Sequence, residues 1–146
     1  LLAKNDSTVF YRDFAHAPSK VKATIEAVKN QFPDKKFIAA LELHTYSSLN
    51  EAFMKEYSGA MDQADEACVF YSKHALELKR MPDLPKDVVK NGFAKENLQV
   101  FNQRSELENW LNNLDFQNSV VVFMSSGNYD GLDTEVFANR VIQAVE

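Results

Sequence analysis

Five short runs of apolar, β-branched and aromatic residues punctuate the chain, at 8–12, 37–43, 67–71, 98–101 and 120–124. The runs FIAALEL and SVVVFM are almost free of polar residues, as in strands covered on both faces; a half-exposed strand would alternate. Between the runs the apolar spacing lengthens to three or four residues. Val21, Ile25, Val28 and Phe32 mark one stripe of a helix opened by Pro18, whose fixed φ and missing N–H suit a helix's first turn. Phe53, Tyr57 and Met61 predict a helix before the third strand, and Leu107, Trp110, Leu111 and Leu114 another after the fourth. Ser105 is the expected cap of the latter, with Glu108 completing a capping box. Val136, Val141 and Val145, with Phe137 alongside, predict a closing helix. The segment 79–93, KRMPDLPKDVVKNGF, is the least regular and predicts a loop plus a short helix. Strands that alternate with helices predict βαβ units. The expected architecture is therefore one three-layer α/β/α domain over 1–146, with an open, doubly wound, mostly parallel, Rossmann-like sheet.

Such sheets bind ligands outside the carboxyl ends of their strands, near a topological switch point. Polar residues cluster at those ends. Asp13 and His16 follow the first strand; His44, Tyr46, Ser47 and Ser48 follow the second. Ser72 and His74 follow the third, and Ser125, Ser126, Gly127 and Asn128 the last. All three histidines fall just after strands, with none expected on a helix face. The helix at Pro18 presents free N–H groups and a positive dipole end, a seat for an anion beside which His16 can donate to a ligand oxygen. MSSGNYDG offers backbone N–H groups and two hydroxyls to a carboxylate. Each cluster also has a plainer reading: Asp13 as a turn cap, His16 as a solvated loop residue, MSSGNYDG as a glycine-containing turn.

Composition narrows the choices. A chain of 146 residues buries roughly 70% of its unfolded surface on folding. A net charge of −5 and a pI near 5.2 argue against nucleic acid or an anionic membrane as partner, since both call for a basic face. No apolar stretch approaches the ~18 residues of a membrane span, and no charged-then-apolar leader supports secretion. The single cysteine, Cys68, excludes an internal disulfide, fits a reducing cytoplasm and reads as a small buried hydrophobe within ACVFY. Phosphate-loop, dinucleotide, nucleophile-elbow and C-x-x-C motifs are all missing, and the histidines are too dispersed for a metal site. The chain begins without Met, inside an apolar pattern, as expected of a piece of a longer protein, although removal of a tag would look the same. These residues make half an active site.

RDFAHAPSKVKATIEAVK resembles the signature that opens the C-terminal domain of the Mur ligases, ATP-dependent enzymes that join amino acids or peptides to UDP-N-acetylmuramic acid in bacterial wall synthesis. Asp13, His16 and Pro18 occupy the signature positions, with Ala17 where many members carry His or Asn. FIAALELHTYSSLN looks like the family's second strand and following loop, and VVVFMSSGNYDGL like its final strand and turn. The likeness is strongest to the branch that recycles L-Ala-γ-D-Glu-meso-diaminopimelate onto UDP-N-acetylmuramate, with the L-alanine-adding branch as the alternative. In the alanine branch the second loop reads His-Arg-Tyr-x-Arg; here it is His44-Thr45-Tyr46-Ser47-Ser48, with both arginines absent. The resemblance implies a cytoplasmic bacterial ligase, inactive as this piece alone. Its own central and N-terminal domains would be its partners, and the central domain would hold most of the ATP and Mg²⁺. It implies Asp13 and His16 as nucleotide contacts, and His44, Tyr46, Ser48, Ser125, Ser126 and Asn128 as acceptor contacts, with no catalytic or metal-binding residue in this piece. A non-enzymatic receiver- or flavodoxin-like module is the rival. It fits less well: the third strand runs into Ser72-Lys73-His74 in place of a phospho-acceptor aspartate, and DFAHAP is not a phosphate loop.

Overall fold

The computed structural model describes residues 1–145. Its centre is a six-stranded sheet of β1 (Ala3–Lys4), β2 (Val9–Asp13), β3 (Lys36–Glu42), β4 (Glu66–Phe70), β5 (Gln99–Phe101) and β6 (Ser119–Met124). The strand order is β1-β2-β6-β3-β4-β5, with every pairing parallel except β1 with β2. Five of the strands answer to the apolar runs. The edge strand β1 does not, since a two-residue antiparallel pair carries no periodicity to detect.

Helices α1 (Pro18–Gln31), α2 (Lys73–Leu78) and α3 (Lys86–Phe93) lie with a 3₁₀ helix (Glu51–Tyr57) on one face, and α4 (Arg104–Asn112) and α5 (Thr134–Ala144) on the other. This is the three-layer, doubly wound arrangement the alternation predicts. β6 shows why its run has no polar break: Val120, Val122 and Met124 enter the α1 side of the core, Val121 and Phe123 the α5 side. Right-handed crossovers carry the chain outward from β2 through β3 and β4 to β5 over one face. The return over the other face inserts β6 between β2 and β3. Helices following adjacent strands therefore leave to opposite faces at β2/β6/β3, and again at β4/β5, opening crevices at the carboxyl edge.

Four local expectations are corrected. Phe53, Tyr57 and Met61 do not share an α-helix; the turn is 3₁₀, capped by the Asn50 side chain on Ala52 N and ended by Gly59 in the left-handed region at φ +79°. The cap of α4 is not Ser105: the Glu106 carboxylate reaches back to the N–H groups of Asn102 and Gln103, at 3.1 and 3.3 Å, so the helix starts earlier. His74 lies within α2, exposed in its first turn, and is not a loop residue. Val136 points to solvent, and α5 buries Thr134, Phe137, Ala138 and Val141 instead. Cys68 is buried as expected, and burial pushes its thiol pKa up.

Candidate functional site at the carboxyl edge

Two tyrosines tie the strand-end loops to the core. Tyr57 stacks on Phe93 with ring centroids 4.8 Å apart, and its hydroxyl donates to the His16 carbonyl at 2.5 Å. Burial pushes this phenol to about 12, so it remains a donor at neutral pH. Tyr129 packs against Phe70 and Phe123, and its buried hydroxyl lies 2.7 Å from the Met124 carbonyl and 2.9 Å from that of Ala40. Its pKa is raised well above the ordinary phenol value, chiefly by burial and further by nearby Cys68 and Glu42. The loops after β2 and β6 are thereby fixed to the two core faces.

After β2, the Asp13 carboxylate turns back to accept Ala15 N at 2.7 Å, while the Asp13 carbonyl accepts Ser125 N at 3.0 Å. His16 Nδ1 lies 2.9 Å from the Phe14 carbonyl. A carbonyl only accepts, so Nδ1–H is the donor of this bond, which leaves Nε2 for a ligand. Phe14, between them, is 77% exposed. α1 starts at Pro18 with no side-chain cap, and its first intrahelical bond comes from Val21 N. That leaves N–H groups available at its N-terminus, as the sequence implies.

β6 leads into a loop gripped from both neighbouring strands. From β2, Arg12 donates to the Gly127 carbonyl at 2.5 Å and to Thr134 Oγ1 at 3.2 Å. From β3, Glu42 accepts the Ser125 hydroxyl at 2.5 Å and Tyr129 N at 2.9 Å, both on Oε1. Gly127 packs against β3 so closely that a Cβ there would lie 2.8 Å from both Glu42 Oε1 and His44 Cγ. The contacts run in sequence: Asp13 meets Ser125, and Gly127 meets His44. The ends of β2, β6 and β3 therefore form one continuous polar edge.

The candidate residues divide by what they present to solvent. Ser126 and Asn128 are exposed on the β6 loop, and Asn128 Oδ1 accepts Gly131 N at 3.3 Å. Asp13, His16 and His44 are half-buried along the edge. Tyr46 is 64% exposed with the Lys79 ammonium 5.1 Å from its ring centroid, farther along the loop. Ser125 is buried and its hydroxyl is committed to Glu42 and Gly127 N. Ser48 is buried in a turn with Thr45, bonded to its carbonyl and hydroxyl. Among the described residues no group of three or more His, Cys, Asp or Glu could hold a metal, and no helix is long and apolar enough to cross a membrane. Arg12 and Glu42 escaped the sequence reading because each sits in an apolar strand run. The available signal was a charged residue at the carboxyl end of a strand or one place before it, where the neighbours are hydrophobic.

A family model described as Mur ligase, glutamate ligase domain, matches residues 1–127. Among curated proteins, the chain is 35% identical to UDP-N-acetylmuramate–L-alanine ligase of Ligilactobacillus salivarius over 82% of its length and 25% of the relative's. It is 36% identical to the Levilactobacillus brevis protein of the same name, over 79% of the chain and 24% of that relative. The chain thus spans about a quarter of the curated relatives it matches. Two solved structures share the fold. A murein peptide ligase from Psychrobacter arcticus superposes with a TM-score of 0.68 at 17% identity, covering 95% of this chain and 28% of that one. A Haemophilus ducreyi domain ascribed to a UDP-N-acetylmuramate:L-alanyl-γ-D-glutamyl-meso-diaminopimelate ligase gives 0.60 at 20% identity, over 94% and 91% of the two chains.

Proposed function

This chain belongs to the Mur ligase family, as its C-terminal domain, and from that premise we propose that it works as the closing, acceptor-positioning part of a cytoplasmic ATP-dependent ligase acting on UDP-N-acetylmuramate. The observation that carries this is the continuous edge from Asp13 and His16 through the β6 loop to His44. One end of that edge suits a nucleotide, the other an acceptor.

At the nucleotide end, Asp13 spends one carboxylate oxygen on Ala15 N and keeps the other for a ribose hydroxyl; His16 Nε2 and exposed Phe14 flank it. In the reaction, ATP converts the muramate carboxylate to an acyl phosphate, and the acceptor amine displaces phosphate through a tetrahedral intermediate. ATP phosphates and Mg²⁺ are assigned to the central domain. This chain excludes water as it closes, holds the nucleotide's sugar edge and aims the amine.

The acceptor we favour is the L-Ala-γ-D-Glu-meso-diaminopimelate tripeptide. The loop after β3 carries no arginine, and Ser48 is turned inward on Thr45. It therefore has little with which to grip the single carboxylate of a small amino acid. A longer peptide can extend along the sheet edge to the β4/β5 crevice, a cavity of about 360 Å³ whose lining includes Lys73, His74 and Arg104. L-alanine is the second reading, favoured by the names of the curated relatives. Joined to its central and N-terminal domains, the protein should release ADP in the presence of UDP-N-acetylmuramate and tripeptide. A preference for free L-alanine in that assay would overturn the tripeptide reading. No ADP release with either acceptor would overturn the ligase reading.

A further inference from the structure

Glu42 ends β3 as a residue only 2% exposed, and among the described residues no cation lies within ion-pair distance of it. A buried carboxylate without a cationic partner is costly, and an apolar side chain would fill the place at less cost. What the carboxylate does provide is acceptance of two hydrogen bonds, both from one loop. Oε1 takes the Ser125 hydroxyl and Tyr129 N–H, and Ser125 Oγ in turn takes Gly127 N–H at 2.7 Å. Ser125 and Tyr129 thus hang from one oxygen, and Gly127 is held through Ser125.

The loop needs such a hold. Tyr129 and Asp130 are consecutive non-glycine residues in the left-handed region, at φ 54° and 56°, a conformation that costs about 1–2 kcal/mol per residue unless the surroundings fix it. The loop that Glu42 holds also meets the second loop. Gly127 packs so closely that a Cβ there would lie 2.8 Å from His44 Cγ as well as from Glu42 Oε1.

We propose that Glu42 is a positioning residue: its buried carboxylate locks the loop at 125–129 onto the His44 loop, so that the two acceptor-side loops move as one body. It acts through those loops and touches no substrate. The inference rests on the reading of both loops as acceptor-binding, and one of its two tests is independent of that reading.

The first test uses the 146-residue chain alone. Glu42→Ala should speed amide hydrogen exchange by on the order of tenfold or more at Tyr129, whose N–H it holds directly, and in the same direction at Gly127, which it holds through Ser125 Oγ. Glu42→Gln, whose amide oxygen accepts the same bonds, should stay within about threefold of the parent. Should Glu42→Ala fail to fold, Ser125→Ala should free Gly127 N–H while leaving Tyr129 N–H protected. Unchanged exchange in Glu42→Ala or Ser125→Ala, or a Glu42→Gln as fast as Glu42→Ala, overturns the proposal. The second test uses the chain joined to its other domains. Glu42→Ala should raise the acceptor KM by on the order of tenfold while the ATP KM and kcat stay within about twofold, with rescue by Glu42→Gln. A fall in kcat with an unchanged acceptor KM overturns it. A parent enzyme inert toward every acceptor counts against the ligase reading only, because the exchange result still decides what Glu42 holds.

Discussion

Replacing Gly127 by alanine tests the tightest contact in the site. The new Cβ would lie 2.8 Å from Glu42 Oε1 and His44 Cγ, and 3.0 Å from His44 Nδ1. Ordinary contact begins near 3.4 Å, so the neighbours or the loop must yield by about half an ångström on both sides. Neither yields freely: Glu42 is held by Ser125 and Tyr129, and Arg12 ties the Gly127 carbonyl from the opposite strand. Overpacking of this kind costs about 1–3 kcal/mol. Gly127 lies outside the left-handed region, so alanine also restricts the unfolded chain and returns about 0.4–1 kcal/mol. The net loss of about 1–2 kcal/mol should lower Tm by roughly 2–8 °C for a domain of this size. Thermal unfolding followed by circular dichroism measures it, and the His44 ring resonances should shift in the same variant. A Tm equal to or above the parent's, with His44 undisturbed, would refute the close approach of the β6 loop to β3.

Two further outcomes follow from the side chains that hold the edge. Tyr129→Phe removes a buried hydroxyl shared by the Met124 and Ala40 carbonyls; urea unfolding should show a loss of about 1–2 kcal/mol, and no loss would mean that the phenol does not pin the loop. For Glu106, desolvation opposes ionisation, but the Lys86 hydrogen bond, the N–H groups of Asn102 and Gln103 and the Lys86 charge outweigh it and hold the carboxyl below its ordinary value. A lowered native pKa means stability present above the unfolded value of about 4.3 and lost as pH falls through the native one. The pair is more than one-third exposed, so its worth is under about 1 kcal/mol. Glu106→Gln should lower the urea midpoint slightly at pH 7 and not at pH 2–3; an equal effect at both would contradict the charge argument.

Much of this molecule is legible in its apolar spacing. FIAALEL and SVVVFM become fully buried central strands because β3 and β6 are covered on both faces. The Pro18 stripe becomes α1, which buries Val21 and Ile25. The layers follow from crossover handedness once the elements are known; the strand order, with β6 between β2 and β3, does not. The misses have physical causes. The Ser105 cap fails because the Glu106 carboxylate closes the N–H groups of Asn102 and Gln103, so the helix starts at Arg104 and Ser105 lies inside its first turn. Val136 fits a valine spacing, yet the buried stripe runs through Phe137, Ala138 and Val141. In the site, polar residues after strands mark the right edge, but residue type does not say which hydroxyls face inward. Ser48 and Ser125 turn in; Ser126 turns out. Arg12 and Glu42 stayed hidden because their partners, two main-chain groups, a serine and a threonine, all lie over 80 residues away in sequence, at separations of 115, 122, 83 and 87 residues.

The central claim is that the Asp13–His16 end of the edge meets ATP when the domain closes. The most direct measurement is the apparent ATP KM of the protein carrying its central and N-terminal domains, for the parent, Asp13→Ala and His16→Ala, with thermal unfolding run alongside. Loss of one or two polar contacts should raise that KM by on the order of tenfold with the fold intact, and leave the acceptor KM near the parent's. An unchanged ATP KM in both variants would contradict the account.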